Sequence, residues 1–146
     1  MAVVLVINDD HEVMDVYESV LESLGHTPVT KEIVSSGPET VRDVGADALL
    51  VDLQRADEDE YGLRIIEELR ADEGMRNFPI ILCTGAPEAV HTLGRRLDQL
   101  GVPVVLKPFS IEALEQTLAA ALEGRFGPVT EASADDRGSR AGATAE

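Results

Sequence analysis

The sequence is short of cysteine, of positive charge and of long apolar runs, and each shortage closes a route. Cys83 is its one cysteine, so no intrachain disulfide can form and the chain reads as cytoplasmic. Cys83 lies in the apolar run Pro79-Ile80-Ile81-Leu82-Cys83, where a buried, inert thiol is the expected state. Lysine and arginine number 12 against 28 acids, a formal net charge of -16. Such a surface repels nucleic-acid phosphates and anionic lipid, so direct binding to nucleic acid or membrane is not expected. It suits divalent cations and basic partner surfaces, although most of these carboxylates serve only solubility. No apolar stretch approaches the length of a membrane span. The run from Ala2 to Ile7 has neither the basic flank nor the length of a signal peptide. His11, His26 and His91 have no Cys or His at ligand spacing, which argues against a zinc site.

What is present is enough for one domain with a full hydrophobic core. The chain has 146 residues, 44% hydrophobic and 27% charged, an ordinary balance for a globular fold. Short β-branched runs at Val3–Ile7, Thr27–Thr30, Ala48–Val51, Ile80–Cys83 and Val102–Leu106 read as strands. Most are apolar throughout, as strands buried on both faces of a parallel sheet are. Helical stripes lie between them: Val13, Tyr17, Val20 and Leu24; Leu63, Ile66 and Leu69; Val90, Leu93, Leu97 and Leu100; Ile111, Leu114, Leu118 and Leu122. Pro38–Val44 is a shorter, weaker helix. Gly25 and Gly101 supply stops, and Ser110 an N-cap with Glu112 in the first turn. Five strands and five helices in strict alternation predict an α/β fold, a doubly wound five-stranded parallel sheet of order 2-1-3-4-5. The domain is expected over 1–123. Residues 124–146, small and polar without apolar periodicity, are expected to be a disordered tail.

In such a sheet, functional groups collect at the carboxyl ends of the strands. Here those ends carry Asn8-Asp9-Asp10, Asp52, Thr84-Gly85 and Lys107-Pro108-Phe109. Asp9 beside Asp52 is a repulsive pair that Mg²⁺ relieves, since magnesium takes one or two carboxylates and keeps several waters. A carboxylate can also accept a phosphoryl group. Lys107 then supplies a point charge and the Thr84 hydroxyl a donor to the phosphoryl oxygens.

These motifs resemble the receiver domain of two-component response regulators, the CheY-like family with its flavodoxin-like fold. The match runs from Val3 to about Leu122, on Val-Ile-Asn8-Asp9-Asp10, Asp47-Ala-Leu-Leu-Val-Asp52-Leu, Pro-Ile-Ile-Leu-Cys-Thr84-Gly-Ala and Leu-Lys107-Pro108-Phe109. The resemblance implies a signalling switch rather than an enzyme. Asp52 would take phosphate from a histidine kinase or histidine phosphotransfer protein, and Thr84 and Lys107 would bind the phosphoryl group. Asp9, Asp52 and the Gln54 backbone carbonyl would hold Mg²⁺, with Asn8 acting through a water. A cis Lys107–Pro108 bond would aim the lysine inward. The signal would reach the face of helix four, strand five and helix five, a surface for a second copy or an effector that includes Arg95 and Arg96. These arginines could equally pair with acids such as Asp98 or face solvent.

Three positions depart from the family's pattern. Asn8 stands where a first acid is usual. The loop after Asp52 lacks proline, is longer than usual and carries Asp57-Glu58-Asp59-Glu60. Val104 replaces a common aromatic residue. These departures motivate an alternative, a phosphorylation-independent receiver that serves as a protein-interaction module. A hydrolase with an aspartate nucleophile is disfavoured, because Asp52-Leu53-Gln54 offers no second carboxylate for acid–base work. A flavin-binding role would want a phosphate loop after strand one, and this loop is acidic.

Overall fold

A computed structural model describes residues 2–32, 34–53, 61–107 and 110–124. In chain order these form β1 (Val3–Ile7), α1 (His11–Ser23), β2 (Thr27–Lys31), α2 (Gly37–Val44) and β3 (Ala48–Asp52). Then come α3 (Tyr61–Ala71), a single 3-10 turn (Glu73–Met75), β4 (Ile80–Thr84), α4 (Pro87–Gln99), β5 (Val104–Leu106) and α5 (Ile111–Leu122). The five strands pair in parallel in the order β2-β1-β3-β4-β5, the doubly wound order expected from the sequence.

The sheet separates two apolar layers, and side-chain alternation assigns residues to each. Leu5, Ile7, Leu49, Val51, Ile80, Leu82 and Val104 share a layer with Ile65, Ile66 and Leu69 of α3. Val4, Val6, Ala48, Leu50, Ile81, Cys83 and Val105 face Tyr17 and Leu21 of α1 and Leu114, Leu118 and Ala121 of α5. The strands are covered on both sides, which is why their sequences are apolar throughout.

Helix ends follow local chemistry. The Asp10 carboxylate caps α1 by accepting from the Glu12 and Val13 N–H groups. Ser110 caps α5 through the Ala113 N–H, as the sequence predicts. Gly25 and Gly101, at φ 87° and 69°, adopt the left-handed conformation that glycine enters without a Cβ clash.

Three helical stripes need correction. On α1 the deeply buried residues are Met14, Tyr17 and Leu21, with Val13 and Val20 only partly buried beside them. The sequence offers two overlapping stripes there, and packing of α1 on the sheet buries one of them. Ile111, expected in the core, is 52% exposed, because it opens α5 before the helix has closed on the sheet. On α4 only Leu97 is fully buried; Val90, Leu93 and Leu100 lie half-buried at the margin of the core.

Arg70 clasps the side of the domain opposite the strand ends. Its guanidinium donates to the Leu100 carbonyl at 2.6 Å, Phe78 at 2.8 Å, Met75 at 3.2 Å and Gly101 at 3.4 Å. It thereby ties α3 to the loops leading into β4 and β5. The outer edge of β2 is shaped by alternation: Thr27 donates to Ala2 and Lys31 accepts from Asn8, so Thr27, Val29 and Lys31 face β1. Pro28 and Thr30 face outward, and Pro28 has no N–H to offer. No helix among the described residues is long and apolar enough to cross a membrane. The expected tail beyond Gly124 and the acidic loop at Asp57–Glu60 lie outside the described residues.

Candidate functional site

Asp52 is the last residue of β3, and its side chain leaves the sheet on the face shared with α1 and α5, by alternation from Ala48 and Leu50. Asn8 and Lys107 continue the same alternation just past β1 and β5. The three meet. Asn8 Nδ2 donates a short hydrogen bond to Asp52 Oδ2, and Lys107 Nζ lies 3.0 Å from Asp52 Oδ1. Thr84 ends β4, and its carbonyl accepts from the Lys107 N–H at 2.8 Å, fixing the hydroxyl-bearing strand end to the lysine-bearing one. Thr84 is buried, and its Oγ1 accepts from the Ala86 N–H at 3.1 Å. The hydroxyl hydrogen therefore remains available to donate.

Burial pushes the Asp52 carboxyl above the ordinary carboxylate range; the Lys107 ammonium beside it pulls the other way, and Asp9 adds a further push upward. That last effect places Asp9 within electrostatic reach of Asp52 as a like charge. Asp9 and Asp10 both face solvent, but Asp10 is committed to the α1 cap.

The residues fit a magnesium site of the open kind. A carboxylate whose pKa is raised by burial and by a neighbouring carboxylate is a site where a cation relieves repulsion. Among the described residues no group of three or more acids, histidines and cysteines clusters as a closed cage. Magnesium binds through one or two carboxylates and waters, not in such a cage. Gln54, expected to supply a backbone carbonyl, and Pro108, expected after a cis bond, lie outside the described residues. Asn8 was expected to act on the metal through a water held by its oxygen. That oxygen accepts from the Asp10 N–H at 2.8 Å, leaving its second lone pair for a water.

Two neighbours of Asp52 escape the sequence reading. Tyr17 belongs to a core stripe, yet it is buried in the layer beneath Asp52, where its own burial and, after it, the nearby Asp52 charge push the phenol's pKa up. The available signal was a phenol at a core position, which needs a polar partner. Gly62, in the first turn of α3, packs directly on the end of β3. A Cβ there would come within 2.9 Å of Leu53 Cα and closer still to the Asp52 carbonyl oxygen. Cys83 is buried as expected, its thiol pushed up to about 12 by burial and by the Asp52 charge, so it is no nucleophile. Val104 is fully buried. Arg96 pairs with Glu67 of α3 at 3.1 Å, a partner outside its own helix, while Arg95 is exposed.

The profile of the response regulator receiver domain family matches residues 4–119, and the chain belongs to that family. Solved structures agree on the fold. A sensor protein from Polaromonas sp. JS666 superposes with a TM-score of 0.67 at 24% identity, covering 84% of this chain and 97% of that one. The non-phosphorylated HemR receiver domain from Leptospira biflexa gives a TM-score of 0.67 at 20% identity, over 84% and 94% of the two chains. The receiver domain of a sensor histidine kinase from Pseudomonas aeruginosa PAO1 gives a TM-score of 0.64 at 28% identity, over 84% and 98%. That protein holds a magnesium ion in its active-site cleft. No curated protein matches the sequence significantly. As a receiver domain the chain is a component of two-component signalling, a switch of the kind that interacts with histidine kinases or phosphotransfer proteins.

Proposed function

We propose that this receiver accepts a phosphoryl group on Asp52, with Mg²⁺, from a histidine kinase or histidine phosphotransfer protein. The observation that carries the proposal is the Lys107–Asp52 pair at 3.0 Å, on a strand edge that also bears Asp9 and Thr84. A carboxylate oxygen of Asp52 attacks phosphorus. The new O–P bond forms as the bond from phosphorus to the donor's leaving group breaks, and the electron pair departs with that group. Asp9 and Asp52 with the Gln54 carbonyl would hold Mg²⁺, which would supply charge neutralisation for the phosphoryl oxygens. Lys107 then exchanges its contact with the carboxylate for one with a phosphoryl oxygen, and the Thr84 hydroxyl donates to another. The half-buried setting of Asp52 keeps competing water away from the acyl phosphate.

These exchanges give the switch its two states. Lys107 and Thr84 are joined through the backbone, so a pull on one strand end moves the other, toward the face of α4, β5 and α5. That face, with exposed Arg95, is the proposed surface for an effector or a second copy. The intact acceptor, lysine and hydroxyl support this reading over a phosphate-independent interaction module. The test is Mg²⁺-dependent incorporation of labelled phosphate from acetyl phosphate. Incorporation into the parent and none into Asp52→Asn is the expected result; equal incorporation into both would overturn the assignment.

A further inference from the structure

The turn that seats α3 on the acceptor strand is held from its other side by a contact that the chemistry above leaves unused. Tyr61 opens α3, is 3% exposed and packs in the core layer of Val41, Ile65 and Leu69. Phenylalanine would fill that space as well, so the hydroxyl needs its own account, since its burial is costly without polar partners. It has them. The phenol oxygen accepts from the Val34 N–H at 3.0 Å and donates to the Val34 carbonyl at 3.4 Å, both bonds within the core. Val34 lies between β2 and α2, where no ladder or helix serves its backbone, and the phenol satisfies both of its polar groups.

These bonds complete a circuit around the acceptor. The Asn8 N–H donates to the Lys31 carbonyl at the end of β2, at 3.1 Å, and further along that segment Val34 is pinned by Tyr61. Gly62 follows Tyr61; its N–H donates to the Leu53 carbonyl at 2.8 Å, and its missing Cβ leaves room for the Asp52 carbonyl. The Asn8 side chain donates to Asp52 and closes the circuit. We propose that Tyr61 is a positioning residue for phosphoryl transfer: its hydroxyl fixes the first turn of α3 between Val34 and the end of β3, and so fixes the backbone from which the Asp52 carboxylate projects. The inference rests on the acceptor reading and adds a residue to it. Gly62 has no side chain with which to hold its own place, so its seat against Asp52 depends on the anchored neighbour. Loss of the hydroxyl strands the buried Val34 N–H and carbonyl. Their relief is a parting of the two segments, and the Asp52 backbone drifts with Gly62. Small displacements of a reacting group cost rate out of proportion to their size.

The test is uptake of beryllofluoride with Mg²⁺, a stand-in for the phosphoryl group, by the parent and by Tyr61→Phe, which keeps the ring. Affinity is expected to fall roughly tenfold, within the range set by one broken buried hydrogen bond, in protein that remains folded by circular dichroism. Equal affinity in the two proteins would overturn the positioning role and leave the acceptor reading intact. The parent alone supplies a second measurement, because coupling between two contacts is reciprocal. If the Tyr61–Val34 bond strengthens uptake, uptake must strengthen that bond. Exchange of the Val34 amide hydrogen is therefore expected to slow roughly tenfold on beryllofluoride binding, relative to the Val102 amide, which donates to Leu97 on the opposite side of the domain. A bond that serves stability alone would leave the ratio of the two rates unchanged, and that result would overturn the proposal even were Tyr61→Phe unable to fold. No uptake by the parent itself would overturn the acceptor reading, and the positioning role with it.

Discussion

Burial sets the energetics of Asp52 before any ligand arrives. A carboxyl whose pKa is raised on folding binds more protons in the native state than in the unfolded one. Its contribution to stability is full below the ordinary carboxylate pKa and is lost as pH rises through the elevated value. At neutral pH, then, the ionised Asp52 is a burden that an amide would not carry. Asp52→Asn is expected to raise the thermal midpoint by a few degrees at neutral pH, with the gain vanishing in acid below the ordinary carboxylate range. Melts at the two pH values check this, and equal midpoints at neutral pH would contradict it. Asn8 follows the same charge logic. Its amide donates to Asp52, so Asn8→Asp would add a third carboxylate beside Asp52 and Asp9. A unit charge at about 5 Å and an effective dielectric near 20 is worth on the order of 3 kcal/mol. Most of that is cancelled by added repulsion and hydration, and Mg²⁺ affinity is expected to tighten ~10-fold, about 1.4 kcal/mol. A magnesium titration at fixed pH and ionic strength measures it, and equal or weaker binding would place Asn8 outside the reach of the metal. At this scale the sequence was informative because Asp9, Asp52, Thr84 and Lys107 each sit directly after an apolar run. Tyr17 was obscure for the opposite reason: it sits in a helical stripe, where a tyrosine counts as bulk.

Elements in this fold are specified by their ends more than by their middles. The strands were legible as β-branched runs, and β1 matches its expected bounds while β3 and β4 each gain one polar residue, Asp52 and Thr84. A hydrogen-bonded ladder does not stop where hydrophobicity does. The face that α1 presents was harder to read, because Val13 and Val20 compete with Met14 and Leu21 for burial, and tertiary packing decides between them. Gly62 shows the same limit at an element's start. Its need for glycine arises from the nearness of the Asp52 carbonyl, a tertiary contact that no local pattern announces. Gly62→Ala is expected to cost about 1–3 kcal/mol as α3 is pushed off the end of β3. Because the displaced backbone is that of the acceptor itself, phosphate incorporation should fall in protein that is still folded. Denaturant melts paired with acetyl phosphate labelling test the two effects together; normal stability with normal labelling would show that the helix yields without moving Asp52.

For the molecule as a whole, the two layers of core end with α5, where Ala121 is fully buried and Leu122 closes the helix. Residues after Gly124 have no apolar periodicity with which to extend either layer. Deletion from Gly127 onward is therefore expected to leave the thermal midpoint unchanged within about 1 °C, since that sequence has no periodic apolar face to bury; a clear drop would mean that the tail packs on the domain. Strict alternation of strand and helix made the architecture readable, but not how the sheet finishes at its margins. On the β2 side the outward positions are Pro28 and Thr30, so an incoming strand would find one N–H where an unbroken edge would offer two. A neighbour trying to extend the sheet would also meet a chain carrying sixteen net negative charges like its own. Extension of the sheet past β2 is thus opposed by a missing donor at one residue and by like charge. Copies that meet at that edge are turned from strand pairing toward contact through their helices.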